Sequence, residues 1–154
     1  ASGVLVGQNL GAGRADRAER VAYRSIRYAV IVMGGSALIF FSIPRLIVSF
    51  FTNDTEVILL ASTCLWIAGF EQVFIGIGDT FRGSLRGAGD TLSALRMTVI
   101  GTWLVRVPVI ALIIYVFHLS LPAVWVGICF EWVIRAVLGW KYFSRGNWEH
   151  IELH

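Results

Sequence analysis

The segment that decides the fold runs from Val57 to Gly78 and reads VILLASTCLWIAGFEQVFIGIG, with Glu71 as its one charge. A helix rising 1.5 Å per residue crosses about 30 Å of hydrocarbon in about 20 residues. The stretch therefore reads as a membrane span. Three more segments share its character. Tyr28 to Pro44 is uncharged and extends back through Ala22. Met97 to Phe117 carries only Arg106, and Leu121 to Trp140 carries only Glu131 and Arg135. None alternates strictly over ten residues, which argues against a membrane β-barrel. The expected fold is all-α: a polytopic membrane helical bundle with spans at 22–44, 56–79, 92–117 and 121–141, a helix tail at 1–10 and a cytoplasmic tail at 142–154.

Composition agrees. Of 154 residues, 56% are hydrophobic before the 16 glycines are counted, and 15% are charged. Soluble domains are about 45–50% apolar with glycine included, and about 25% charged. The excess excludes disorder, a coiled coil and a nucleic-acid-binding module. It also argues against a soluble enzyme, because so small a domain cannot hide that much apolar surface. Cys64 and Cys129 lie inside apolar runs and read as small apolar residues without a disulfide. Ala1 to Leu10 reads as the tail of a helix already under way, so a C-terminal piece of a longer protein is expected.

Orientation follows from the basic residues. Arg14, Arg17, Arg20, Arg24, Arg27, Arg82, Arg86, Arg96, Lys141 and Arg145 fall on one side of the expected spans, and only Arg45 on the other. The positive-inside tendency puts the ten in the cytoplasm, with both chain ends. The five arginines before the first span share one helical face and attract anionic headgroups. Trp140 and Tyr142 at one edge, and Trp125 and Tyr115 toward the other, fit interfacial belts. Trp66, Trp103 and Trp132 are expected to pack between helices.

Asn53 with Glu56 resembles a capping box for the second span, and Asp90 or Thr91 suits the start of the third. Leu46 to Thr52 is too short to span and is expected to lie on the outer surface. Pro108 should kink the third span. GQNLGAG at 7–13 and GSLRGAG at 83–89 share the frame G-x-x-x-G-A-G, 76 residues apart. Small residues at that spacing permit close helix approach.

The informative residues are the charges within spans, each costing about 2.5–3.5 kcal/mol at mid-bilayer. Arg106 lies roughly 16 Å from the outer end of its span and Glu131 roughly 14 Å from the outer end of the next, counting at the helical rise. Glu131 and Arg135 stand at i,i+4 with the acid first, the favourable order. A buried cluster of Arg106, Glu131 and Arg135 is expected, either fixing helix register or taking part in substrate or ion passage. Glu71 lies roughly 21 Å from its outer end, deeper than either, with Gln72 beside it. If no arginine reaches Glu71, burial favours its neutral form. A proton-coupled carrier uses such an acid, and a hydrogen-bonded interface residue is the structural alternative.

Other signals are weak. His150 and His154 have i,i+4 spacing, but Glu152 is not placed as in a metalloprotease helix, and no metal site is expected. No phosphate-binding loop, dinucleotide fingerprint or nucleophile elbow occurs. Nor is there a cytoplasm-facing cluster of His, Asp or Cys of the kind a membrane-integral enzyme needs.

GQNLGAGRADRA at 7–18 resembles a cytoplasmic loop of the MATE (multidrug and toxic compound extrusion) transporters. PRLIVSFFTNDTEV at 44–57, RGSLRGAGDT at 82–91, WLVRVP at 103–108 and EWVIRAVLGWKYFSRGNW at 131–148 are similar to later segments of that family, in order. The resemblance implies part of a twelve-helix fold of two six-helix lobes, here the end of helix eight and helices nine to twelve. It implies exchange of drugs or organic cations for H⁺ or Na⁺ by alternating access, in a cell inner or plasma membrane. The partners it implies are the bilayer and a missing N-terminal lobe, with no cofactor beyond the coupling ion, no nucleic acid and no enzymatic activity. Some members carry a cavity acid on the tenth helix; Glu71 is the matching candidate and Asp79 a weaker one. The alternatives are a lipid-linked saccharide flippase of the same superfamily, favoured by an arginine-rich cavity, and a non-transporting structural membrane subunit.

Overall fold

The computed structural model describes the backbone of residues 2–150 and side chains through Trp148. Six helices account for nearly all of it: α1 (Ser2–Gly11), α2 (Ala15–Ser42), α3 (Pro44–Ser49), α4 (Thr55–Gly87), α5 (Thr91–Val116) and α6 (Leu121–Ser144), followed by a 3₁₀ turn at Asn147–His150. No strand occurs among the described residues. The helices α2, α4, α5 and α6 are each long and apolar enough to cross a membrane. The chain is an all-α, multi-pass membrane bundle. Its accessible surface is 9379 Å², against about 7,800 Å² for a soluble monomer of its mass. Much of the excess is apolar: Trp103 is 68% exposed on α5 and Tyr28 70% on α2. Among the described residues Trp103 therefore does not pack between helices as expected.

Local sequence explains where the helices stop. Ile43 leaves the helical region (φ −135°) because the ring of Pro44 crowds a helical residue before it, and Pro44 then opens α3. Asp54 caps α4, its Oδ1 accepting from the N–H groups of Glu56 (2.9 Å) and Val57 (3.4 Å). The expected Asn53–Glu56 capping box does not form. Thr52 Oγ1 accepts from the Asp54 N–H, which turns the chain one residue later than that pattern requires. Asp90 caps α5 through the Ser93 N–H at 3.0 Å.

Both G-x-x-x-G-A-G copies end in the same helix stop. Arg14 N–H reaches Asn9 O and Gly13 N–H reaches Leu10 O; Asp90 N–H reaches Leu85 O and Gly89 N–H reaches Arg86 O. These are Schellman pairs, and they place Gly13 (φ 69°) and Gly89 (φ 86°) in the left-handed region that glycine tolerates. The glycines upstream of the two turns meet each other. A Cβ on Gly7 would stand 2.5 Å from the Gly87 carbonyl oxygen, one on Gly3 would strike the Gly83 carbonyl, and one on Gly87 would overlap Gly3. Helices α1 and α4 thus run parallel in backbone contact, as a small-xxx-small crossing allows.

Helix α4 is the hub, packing against α1, α2, α3, α5 and α6. At the face of the bundle that holds the Gly13 and Gly89 turns, Val6, Ala18, Ala22, Phe81, Leu85, Ala94, Met97, Phe143 and Trp148 form the buried core. Trp148 stacks on Phe143 (centroids 4.7 Å apart), and its Nε1 donates to the Phe143 carbonyl at 2.8 Å. Tyr23 meets the edges of Phe81 and Phe143.

The expected kink at Pro108 is taken up differently. Residues Ile100–Arg106 and Leu112–Val116 are π-helical on either side of Val107–Ala111. Val107 N–H bonds Thr102 O, and Phe117 N–H bonds Leu112 O at 3.0 Å, both five residues back. The widened turns accommodate a residue with no N–H while the helix continues.

Candidate functional site

Helices α4 and α6 run parallel. Glu71 meets Cys129, Gly78 lies by Arg135 and Ala136, and Phe81 lies by Gly139. A residue on α6 is therefore level with one 58 positions earlier on α4. Helix α5 returns antiparallel between these levels and packs on α6. Close approach is permitted along one stripe of α6, formed by Gly127, Glu131, Arg135 and Gly139 at four-residue spacing. A Cβ on Gly127 would come 2.9 Å from Val109, and one on Gly139 would come 2.8 Å from Phe81.

At the centre of that stripe the structure brings Arg106, Glu131 and Arg135 together. The Glu131 side chain is 0% exposed; Arg106 Nη2 lies 2.7 Å from its Oε2, and Arg135 Nε lies 2.5 Å from its Oε1. Both are close ion pairs, though neither is aligned as a hydrogen bond. Arg135 is also nearly buried, whereas the Arg106 side chain is 33% exposed. The arrangement carries one excess positive charge. Isolated charges in this environment are costly, and close pairing within one network is what reduces the cost.

Residues of no evident role in the sequence complete the network. Arg135 Nη2 donates to Thr102 Oγ1, and the guanidinium carbon stands 4.8 Å from the Trp132 ring centroid, a cation–π geometry. Gly101 makes room: a Cβ there would lie 2.5 Å from Arg135 Nε. The π-helical segment Ile100–Arg106 supplies both Thr102 and Arg106 to the same partner helix. The Gly-Glu-Arg-Gly stripe on α6 was the signal available in the sequence; nothing in composition singled out Thr102 or Trp132.

Glu71 stands apart from this network. It is buried on α4, and the Cys129 thiol is its polar contact, with Sγ 3.7 Å from Oε2 and 3.5 Å from the Ile67 carbonyl. No arginine or lysine lies within ion-pair distance of it among the described residues. Its depth differs from the expectation. Glu71 is level with Cys129, about 3 Å from the level of Glu131 and toward the Thr55 end, rather than deeper. Counting along the chain takes the spans to start flush, but α4 begins about 12 Å before the level of Leu121. Gln72 is half-buried and makes no side-chain hydrogen bond among the described residues. Asp79 pairs with Arg82 at 2.9 Å. No cluster of three or more His, Cys, Asp or Glu suited to a metal occurs among the described residues, and the His150–His154 pair lies outside the described side chains.

A multi-span helical bundle with a desolvated charge network between two of its helices defines a membrane-embedded α-helical protein. Residues 1–112 match the MatE family, and the chain belongs to it. It is 30% identical over 145 residues to a probable multidrug resistance protein NorM of Thermotoga maritima, covering 94% of this chain and 31% of the relative. It is 33% identical over 108 residues to the probable multidrug resistance protein NorM of Pasteurella multocida, covering 70% and 23%. Multidrug and toxin extrusion protein 1 of Oryctolagus cuniculus is 26% identical over 145 residues, covering 94% and 26%. The chain spans less than a third of the length of these relatives.

Proposed function

We propose that the whole protein to which this chain belongs exports drugs or organic cations by H⁺ or Na⁺ antiport with alternating access, and that Glu71 binds the coupling ion. The observation that carries this reading is the contrast between two buried acids in one bundle. Glu131 is held by two arginines, while Glu71 makes no ion pair among the described residues and has the Cys129 thiol as its polar contact. A carboxylate left without a cationic partner at membrane depth is inexpensive only when it holds a proton or a cation. Gln72 lies beside it. Arg106, partly exposed, stands at the rim of the network that Glu131 and Arg135 hold shut.

In this reading residues 1–154 form part of the C-terminal lobe, which rocks against an N-terminal lobe. The arginine-rich turns and both chain ends are cytoplasmic, and the protein sits in the cell inner or plasma membrane as a transporter rather than an enzyme. The flippase alternative draws on Arg106 and Arg135, but both guanidiniums already pair with Glu131. A purely structural subunit gives no reason for an unpaired acid at Glu71.

The test uses the full-length protein in proteoliposomes, following efflux of a fluorescent organic cation under an imposed pH or sodium gradient. Glu71→Gln should abolish gradient-driven flux and Glu71→Asp should retain part of it. Undiminished coupled flux in Glu71→Gln would remove the reading.

A further inference from the structure

The turn face carries a groove that neither the charge network nor Glu71 uses. It encloses about 520 Å³ between the end of α4 and the start of α5. Arg82 and Arg86 of α4 line it together with Thr91, Leu92, Ala94, Leu95 and Thr98 of α5. Arg82 and Arg86 are one helical turn apart, about 6 Å along the axis. Arg82 is partly countered by Asp79, whereas Arg86 is exposed and makes no ion pair among the described residues. From Thr91 to Thr98 the groove runs about 10 Å into the apolar zone, flanked by the exposed side chains of Leu92 and Leu95. The Asp90 carboxylate already occupies the Ser93 amide, so the attraction for anions comes from the guanidiniums rather than the helix start.

We propose that this groove holds one anionic phospholipid from the leaflet on the arginine-rich face, with its phosphate on Arg86 and Arg82, its polar headgroup at Thr91, and an acyl chain along Leu92 and Leu95. Charge complementarity selects the headgroup: guanidinium pairs with phosphate oxygens in a bidentate fork. The apolar lining of Leu92, Ala94 and Leu95 beside the two arginines selects a lipid over a soluble anion, which would gain nothing from Leu92 or Leu95. The inference is independent of the transport reading, since it concerns a surface away from Glu71.

The experiment titrates phosphatidylglycerol into the full-length protein in a mild detergent and counts bound lipid by native mass spectrometry, with phosphatidylethanolamine for comparison. Each basic residue near a lipid surface contributes about fivefold in affinity. Arg86→Gln should therefore weaken the tightest phosphatidylglycerol site about fivefold, while Arg86→Lys retains most of it. Leu95→Gln, at an exposed position, should weaken it with all charges intact. Arg20→Gln with Arg24→Gln, on the α2 face, should leave that site unchanged. Equal binding by the wild type and Arg86→Gln would overturn the proposal. So would an equal loss in the α2 variant, which would indicate a diffuse field, or equal retention of phosphatidylethanolamine. Displacement of the lipid by inorganic phosphate would reassign the groove to a free anion and overturn it too.

Discussion

The fully buried Glu131 carboxylate lies 2.7 Å from the partly exposed Arg106 guanidinium and so joins α6 to α5. Removing one partner from such a group exposes the cost of the others. Glu131→Gln is expected to destabilise the bundle by about 3–5 kcal/mol, most of it through Arg135, since the partly exposed Arg106 regains solvent. Replacing all three residues together by Leu and Met should recover most of the loss. Thermal unfolding of the full-length protein in detergent measures both, and a triple variant as unstable as the single one would contradict the account.

The same network makes a coupling prediction. Gly101→Ala places a methyl group where Arg135 Nε and Cγ now sit. That guanidinium is pinned by Glu131 and Thr102, so it cannot swing away freely. The substitution is expected to cost about 1–3 kcal/mol in the wild type and close to nothing in an Arg135→Ala background, which removes Nε, Cδ and Cγ together. Equal costs in both backgrounds, read from a double-mutant cycle, would separate Gly101 from Arg135.

Glycines in this chain fall into two energetic kinds. Gly87→Ala should destabilise by about 1–3 kcal/mol because its Cβ has no place beside Gly3. A Cβ on Gly34 or Gly35 of α2 would meet nothing within 4 Å among the described residues. Alanine at either should be neutral or stabilise by up to about 1 kcal/mol, from helix propensity alone. Melting temperatures of the three variants in one detergent decide the matter.

The helix start at Thr55 offers a sharper comparison. Asp54→Ala removes the acceptor for two amides and should cost about 1 kcal/mol, whereas Asn53→Ala should cost almost nothing. A larger effect at Asn53 would restore the capping-box reading.

The bundle is legible along the chain because its signals are one-dimensional: hydrophobic length, charge placement and Pro or Gly at helix ends. Arg106, Glu131 and Arg135 can be brought near each other by counting residues because antiparallel neighbours joined by a short turn share a starting level. Glu71 cannot be placed that way. Its depth depends on how far α4 slides past α6, and that is set by three-dimensional contacts such as Phe81 against Gly139 and Gly78 against Arg135. Thr102 is hidden for another reason. An ordinary 3.6-residue period misassigns faces within Ile100–Arg106, where the π turn rotates each side chain off that period. Asp54 and Asn53 differ by one residue, finer than any pattern resolves without seeing the bend at Thr52.

Helix α4 has 33 residues and so measures about 50 Å, well over the thickness of the hydrocarbon layer. It touches every other helix of the bundle, so a displacement of α4 would be passed to all of them. Tipping it by about 10° about its midpoint would carry each tip through roughly 4 Å. A rearrangement beginning beside Asp54 would then be felt at Gly87 without any intervening residue changing its rotamer.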